Sequence, residues 1–162
     1  MCELLLSKGY EVYGVMRRSS TTNLSRIFHI ADKIKIITAD LTDSKSVVNA
    51  IAASEPDEIY NLAAQSFVPV SWTNPTLTFE TNTIGLMNIL ESARNMTNEP
   101  KIYQASSSEM YGNSRNRFEP RSPYGVSKLA SHWLINDYRD RYGMFACSGI
   151  CFNHESPRRG NE

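Results

Sequence analysis

The chain has 162 residues, 41% hydrophobic and 21% charged, proportions of a single soluble globular domain. Lys+Arg and Asp+Glu each count 17, so no global charge points to nucleic acid or an anionic membrane. No apolar run approaches the ~20 residues of a membrane span, and the opening "MCELLLSKGYE" has too short an apolar run and the wrong flanks for a secretory signal.

"CELLLSKG" reads as the end of a helix, with Gly9 as its stop signal. The strand "EVYGVM" (11–16) follows and runs into "RRSS". A helical stretch is expected at 23–30, then the strand "IKIIT" (34–38) and the turn "TADLTD". A helix at 44–54 leads to "EIYNLAA" (58–64), a helix at 76–96 to "KIYQASS" (101–107), and a helix at 123–142 to "FACSGIC" (145–151). Several of these strands are apolar without strict alternation, as in strands covered on both faces. Strand-helix alternation without an internal repeat predicts one α/β domain built on a parallel sheet.

A chain that opens on a helix just before a strand reads as a βαβ unit without its first strand. No G-x-G-x-x-G run occurs in the sequence. In a dinucleotide-binding sheet of order 3-2-1-4-5-6, strand 1 is central and carries that loop. The expectation is a Rossmann-like parallel sheet with helices on both faces, lacking the first strand and the glycine-rich loop. It implies a fragment of a longer protein; the alternative is a complete small α/β domain that starts on a helix.

Residues after each strand carry the candidate chemistry, because ligands bind at the carboxyl ends of strands in such sheets. Arg17 and Arg18 offer guanidinium forks, and Ser19 and Ser20 hydroxyls, for the 2′-phosphate of NADP; a solvated basic turn is the other reading. Asp40 can accept from an adenine amino group while Leu41 packs on the ring, or Asp40–Asp43 can simply cap the next helix. Ala63 and Ala64 are small enough for close cofactor approach, and equally for tight helix-sheet packing. In "SSSEMYG", Ser107 suits polarisation of a substrate oxygen and Glu109 a general acid/base.

"RSPYGVSK" places Ser122 as an N-cap and Pro123 at the first helical position. Val126, Leu129, Ala130, Trp133 and Leu134 form an apolar stripe, leaving Tyr124, Lys128 and His132 on another face. A lysine cation beside a phenol lowers the tyrosine pKa and makes it a base, and a nearby oxidised nicotinamide would push the same way; an exposed i,i+4 pair with no role is the other reading. In the tail "CFNHESPRRGNE", Arg159 suits a phosphate, and Asn153 and Glu155 suit substrate hydroxyls. His154 and Glu155 are adjacent, with no third ligand at regular spacing, so no metal is expected. Cys147 and Cys151 would stand ~13 Å apart along one strand, too far for a disulfide, which points to reduced cytoplasmic thiols.

Together "GYEVYGVMRRSS", "NLAAQSFVPVSW", "SSSEMYG", "RSPYGVSK" and "FNHESPRRG" resemble the extended short-chain dehydrogenase/reductase family, over nearly the whole chain. Within it they look like the GDP-mannose 4,6-dehydratase branch. Relatives acting on dTDP-glucose usually have Asp-Glu where this chain has Ser108-Glu109, and epimerases tend to lack a glutamate there. The resemblance implies a lyase with NADP as cofactor and a GDP-sugar as substrate. Tyr124 would deprotonate the C4 hydroxyl, Lys128 would tune it, Ser107 would polarise the substrate, and Glu109 would remove the C5 proton. It also implies that Leu62, Ala63, Ala64, Gln65, Ser66, Leu77, His154 and Arg159 line the cofactor site, Ser66 facing the substrate too. A homo-oligomer, dimer or tetramer, is implied for the full-length parent, with a C-terminal substrate domain absent here. Phe67 replaces a histidine common in the family, and the stretch between Glu109 and Tyr124 is several residues shorter than usual. Two other readings stay open: an epimerase or reductase of the same superfamily, and a non-catalytic remnant.

Overall fold

In the computed structural model, which describes residues 1–19 and 24–154, the chain opens on helix α1 (Cys2–Ser7). Gly9 follows with φ +81° and donates its amide to the Leu6 carbonyl, a left-handed stop that glycine adopts without strain. β1 (Tyr13–Met16) and β2 (Lys35–Thr38) pair in parallel, with Tyr13 opposite Lys35 and Met16 opposite Thr38. Val12, Ile30 and Ile34 form the core here, with Leu5, Leu6 and Ile27 packed around them. These elements belong to a first unit, Met1–Asp40.

The helix expected at 23–30 is not formed over its described residues. A turn leads into one short 3-10 segment, Phe28–Ile30, with Ile27 donating to the Leu24 carbonyl and Ile30 to that of Ile27. Phe28 is 77% exposed and leaves Ile27 and Ile30 to anchor the stretch. Two anchors are too few to offset the cost of nucleating a full α-helix, and tight 3-10 turns suffice.

The second unit, Leu41–His154, holds helix α2 (Ser44–Ser54), β3 (Glu58–Asn61), the short helices α3 (Val70–Thr73) and α4 (Pro75–Phe79), α5 (Gly85–Arg94), β4 (Lys101–Ser107), α6 (Pro123–Tyr142) and β5 (Ala146–Cys151). Its three strands are parallel in the order β3-β4-β5. β1-β2 and β3-β4-β5 are the two strand sets that a 3-2-1-4-5-6 order contains besides strand 1. Leu86, Leu90 and Ala93 of α5 and Ile135 of α6 pack on Ile102 and Ala146. A second cluster joins Val47 and Ile51 of α2 to Ile89 of α5.

Between α4 and α5 the chain widens into a π-helical turn, Glu80–Ile84, inside what reads as one continuous helix at 76–96. β4 also departs from the expectation of strands covered on both faces. Ile102, Gln104 and Ser106 are buried, whereas Lys101 is exposed and Tyr103 and Ala105 are half-buried. Tyr60, Tyr103, Phe145 and Cys147 line a shallow groove of about 230 Å³ on this more open side.

Candidate active site

Because β3, β4 and β5 run parallel, their carboxyl ends share one edge, and the residues that follow them converge there. Ser107 closes β4 opposite Cys151 of β5. α6 begins at the same edge: Ser122 accepts from the Gly125 amide at 3.0 Å and Pro123 fills the first turn, as the sequence signals. That start places Tyr124 and Lys128 one turn apart, both buried, at 8% and 3% exposure.

Lys128 donates from Nζ to the Ala105 carbonyl at 3.0 Å, and its ammonium lies 5.8 Å from the Tyr124 ring centroid. Ser107 stands near enough to the Tyr124 phenol to favour its ionised form. Glu109 follows on a 3-10 turn (Ser108–Met110), its amide donating to Ser107 Oγ at 3.2 Å and its side chain exposed. Four residues expected to act together are therefore gathered at the end of one strand and the start of one helix.

The electrostatics correct the sequence expectation. Burial pushes the Tyr124 phenol above its ordinary value; Ser107 pulls the other way, and the charges of Glu109 and Cys151 add to the rise. Burial also draws Lys128 down to about 8, which still leaves it charged at neutral pH.

The expected apolar stripe of α6 is split: Leu134 packs on the core and Leu129 and Ala130 are half-buried, but its other two members face outward. Val126 and Trp133 are 42% and 53% exposed, while Ser127 and Ser131 are fully buried beside Tyr124 and Lys128. The reason is the π turn. Asn82 Nδ2 donates to Ser127 Oγ at 3.0 Å, Thr83 Oγ1 to the Ser127 carbonyl at 3.1 Å, and Ser131 Oγ to the Asn82 carbonyl at 2.8 Å. Small hydroxyl residues let α6 approach this segment closely and satisfy its polar groups. His132 does not join Tyr124 and Lys128; it meets Ser148 at 3.0 Å and the ring of Phe118.

Asn82 also holds the loop after β3. Its Oδ1 accepts from the Gln65 amide at 2.9 Å and its Nδ2 donates to the Gln65 carbonyl at 3.1 Å. Asn61 donates to Gln104 at 2.7 Å, and Thr78 Oγ1 donates to Gln65 Oε1 at 3.2 Å. Leu62, Ala63 and Ser66 are thus presented exposed on a fixed loop, with Ala64 half-buried, and Leu77 is exposed on α4. Exposure of Ala63 argues against tight packing as the reason for its size. Asn82 was not singled out from sequence; the signal available was a polar residue of low helix propensity inside an apolar helical stretch. Leu41 is held too, its carbonyl accepting from Asn88 at 2.7 Å.

In the first unit, Arg17, Arg18 and Ser19 are exposed beyond β1, and Asp40 follows β2 at the same end of that parallel pair. Asn153 and His154 follow β5, His154 Nδ1 hydrogen-bonding the Phe152 carbonyl at 2.9 Å. Ser20, Glu155 and Arg159 lie outside the described residues. No group of three or more metal-ligating side chains occurs among the described residues, and no helix there is long and apolar enough to cross a membrane.

Comparison with known proteins places this geometry. The family model described as GDP-mannose 4,6 dehydratase matches residues 1–162. GDP-mannose 4,6-dehydratase of Vibrio cholerae serotype O1 is 44% identical over 99% of this chain and 47% of its own length. GDP-mannose 4,6 dehydratase 2 of Arabidopsis thaliana is 48% identical over 99% of this chain and 48% of its own. The chain therefore spans about half the length of the curated relatives it matches. Among solved structures, UDP-glucose 4-epimerase of Thermus thermophilus in complex with NAD is 29% identical, with TM-score 0.77 over 91% of this chain and 49% of that one. A dTDP-glucose 4,6-dehydratase of Streptomyces venezuelae shares the fold at 23% identity, with TM-score 0.83 over 96% of this chain and 52% of that one. A match along its entire length, with Ser107, Tyr124 and Lys128 joined at one strand end, means that the chain belongs to the GDP-mannose 4,6-dehydratase family.

Proposed function

We propose that the protein carrying this chain is an NADP-dependent GDP-mannose 4,6-dehydratase, converting GDP-mannose to GDP-4-keto-6-deoxy-mannose. The carrying observation is the cluster of Ser107, Tyr124 and Lys128 with Glu109 one turn away. Residues 1–162 supply part of the nucleotide-binding domain, and the relatives' remaining length supplies the substrate domain.

The residues present fit a dinucleotide. Exposed Ala63 and Ser66 leave room for a cofactor to approach the loop, with exposed Leu62 as an apolar contact, and Arg17 and Arg18 offer exposed guanidinium groups that suit a 2′-phosphate and so NADP over NAD. When bound, the cofactor would supply hydride transfer, from C4 and back to C6.

The chain's own groups handle the protons. Tyr124 takes the C4 hydroxyl proton while Ser107 holds the same oxygen. The ketone formed at C4 makes the C5 proton acidic. Glu109 removes that proton and delivers it to the departing C6 hydroxyl, which leaves as water; hydride return at C6 then requires a proton at C5, which the proton held by Tyr124 balances. Lys128 is anchored by Ala105 where it can bind a ribose hydroxyl. Asn153 and Glu155 bind substrate hydroxyls, and His154 and Arg159 complete the cofactor site.

The exposed apolar residues Val126 and Trp133 support a homo-oligomer, dimer or tetramer, built on α6. Free Cys2, Cys147 and Cys151 support a cytoplasmic setting. The test is product analysis with the intact protein, GDP-mannose and catalytic NADP. A 4-keto-6-deoxy sugar formed without net cofactor consumption supports the dehydratase. A C-epimer, or stoichiometric oxidation of reduced cofactor, supports an epimerase or reductase and overturns it.

A further inference from the structure

The helix that carries Tyr124 has a glycine in its first turn, where helix propensity and capping chemistry both prefer another residue. Gly125 is the third residue of α6, the position at which glutamate completes a capping box and alanine stabilises a helix by roughly 1 kcal/mol over glycine. Its φ lies outside the left-handed region, so backbone conformation does not demand glycine. Space does. A methyl on Gly125 would stand 2.8 Å from the Glu109 carbonyl oxygen and 3.0 Å from Pro120 Cβ. Ordinary contact begins at 3.4 Å, so the two backbones would have to part by about 0.6 Å.

The atom met is backbone and already engaged. The Glu109 carbonyl accepts from the Gly112 amide at 3.3 Å, and the Glu109 amide donates to Ser107 Oγ. The turn that carries Glu109 is thus held from both ends, with Gly125 as its third support. Tyr124 is the neighbouring residue on α6. The close approach of the Glu109 carbonyl to Gly125 is therefore one of the contacts, beside the one through Ser107, that set the distance between the two.

We propose that Gly125 is a positioning residue that sets the spacing between the Tyr124 phenol and the Glu109 carboxylate, and so couples proton removal at C4 to proton removal at C5. This rests on the dehydratase reading. Tyr124 acts on the C4 hydroxyl and Glu109 on the carbon next to it, so one substrate must meet both groups at adjacent atoms. A misplacement approaching 1 Å costs on the order of 10²-fold in rate. Moving Glu109 away from α6 leaves oxidation at C4 intact and slows elimination across C5–C6.

The test is Gly125→Ala in the intact protein, read by deuterium isotope effects on kcat with GDP-mannose labelled at C4 or at C5. The expected result is a fall in kcat of roughly 10- to 100-fold, a larger C5 effect and a smaller C4 effect, because C5 deprotonation becomes limiting. A fall with an unchanged ratio of the two effects, or no fall, overturns the proposal. Should the single substitution cost the fold, the same ratio is read in Gly125→Ala with Pro120→Gly, which clears the loop side and keeps the Glu109 contact. Crystal structures of both forms read the spacing without turnover: Glu109 and Tyr124 separate in the variant, and unchanged positions overturn the proposal. If the unsubstituted protein makes no 4-keto-6-deoxy sugar, the dehydratase reading fails on its own, while the crystal structures still decide the spacing.

Discussion

Lys128 is the residue on which folding and chemistry conflict most plainly. It is 3% exposed, bonded to one carbonyl, and drawn down to about 8 by burial. The gap from 10.5 to about 8, at ~1.36 kcal/mol per pH unit, is a penalty of about 3 kcal/mol against the folded state at neutral pH. The sign follows from proton counts. Between pH 8 and 10.5 the unfolded chain binds more protons at this site than the folded one, so stability rises with pH across that window. Below about 8 both states are charged and the penalty is complete. Lys128→Met removes it and loses one hydrogen bond worth about 1 kcal/mol. The variant should be more stable than the parent by roughly 2 kcal/mol at pH 7, with the advantage shrinking towards pH 10.5, while turnover collapses. Urea unfolding of the intact protein at pH 7 and pH 10 measures it. A variant less stable at pH 7 would mean that the ammonium is better solvated than its burial implies.

At the scale of elements, the π turn and α6 work as a pair. Asn82 is 2% exposed and makes three side-chain bonds, two to the Gln65 backbone and one to Ser127. It thereby ties the loop expected to meet the cofactor to the helix that bears Tyr124 and Lys128. Asn82→Ala should cost about 2–4 kcal/mol, since buried partners lose their bonds, and should weaken NADP binding by freeing residues 62–66. Urea unfolding and calorimetric titration read the two effects; loss of stability with unchanged affinity would show that the loop holds itself.

Much of this level was legible. The predicted spans of α2, β4 and α6 coincide with those found; capping residues mark the starts of α2 and α6, and a bounded apolar run marks β4. The N-cap at Ser122 and the Tyr124–Lys128 spacing were legible too. What was not legible depends on partners distant in sequence. Nothing local marks 80–84 as a π turn; its bonds run to Gln65, Ser127 and Ser131. The apolar stripe of α6 was legible, but not that Ser127 and Ser131 hold the close contact with the π turn. Tyr124 and Lys128 were recognised as a pair, but the burial that shifts both groups is a property of the packed fold.

At the scale of the whole molecule, the exposed apolar residues of α6 become a prediction about assembly. α6 spans 20 residues, and its outward side carries Val126 and Trp133. Trp133 lies nine positions after Tyr124, which at 3.6 residues per turn places it on the opposite side of the helix from the phenol. A change there reaches the outer surface without touching Tyr124 or Lys128. Two copies related by a two-fold axis would bury this stripe against itself, each tryptophan serving both partners. Trp133→Glu would set a carboxylate on each side of that contact, with no countercharge and a desolvation cost of several kcal/mol. The intact protein should then sediment as a smaller species with its fold retained, whereas Trp133→Phe should keep the parent's mass. If the parent is already monomeric, or the glutamate variant keeps its mass, α6 is not the assembly surface, and the exposed tryptophan is covered in some other way.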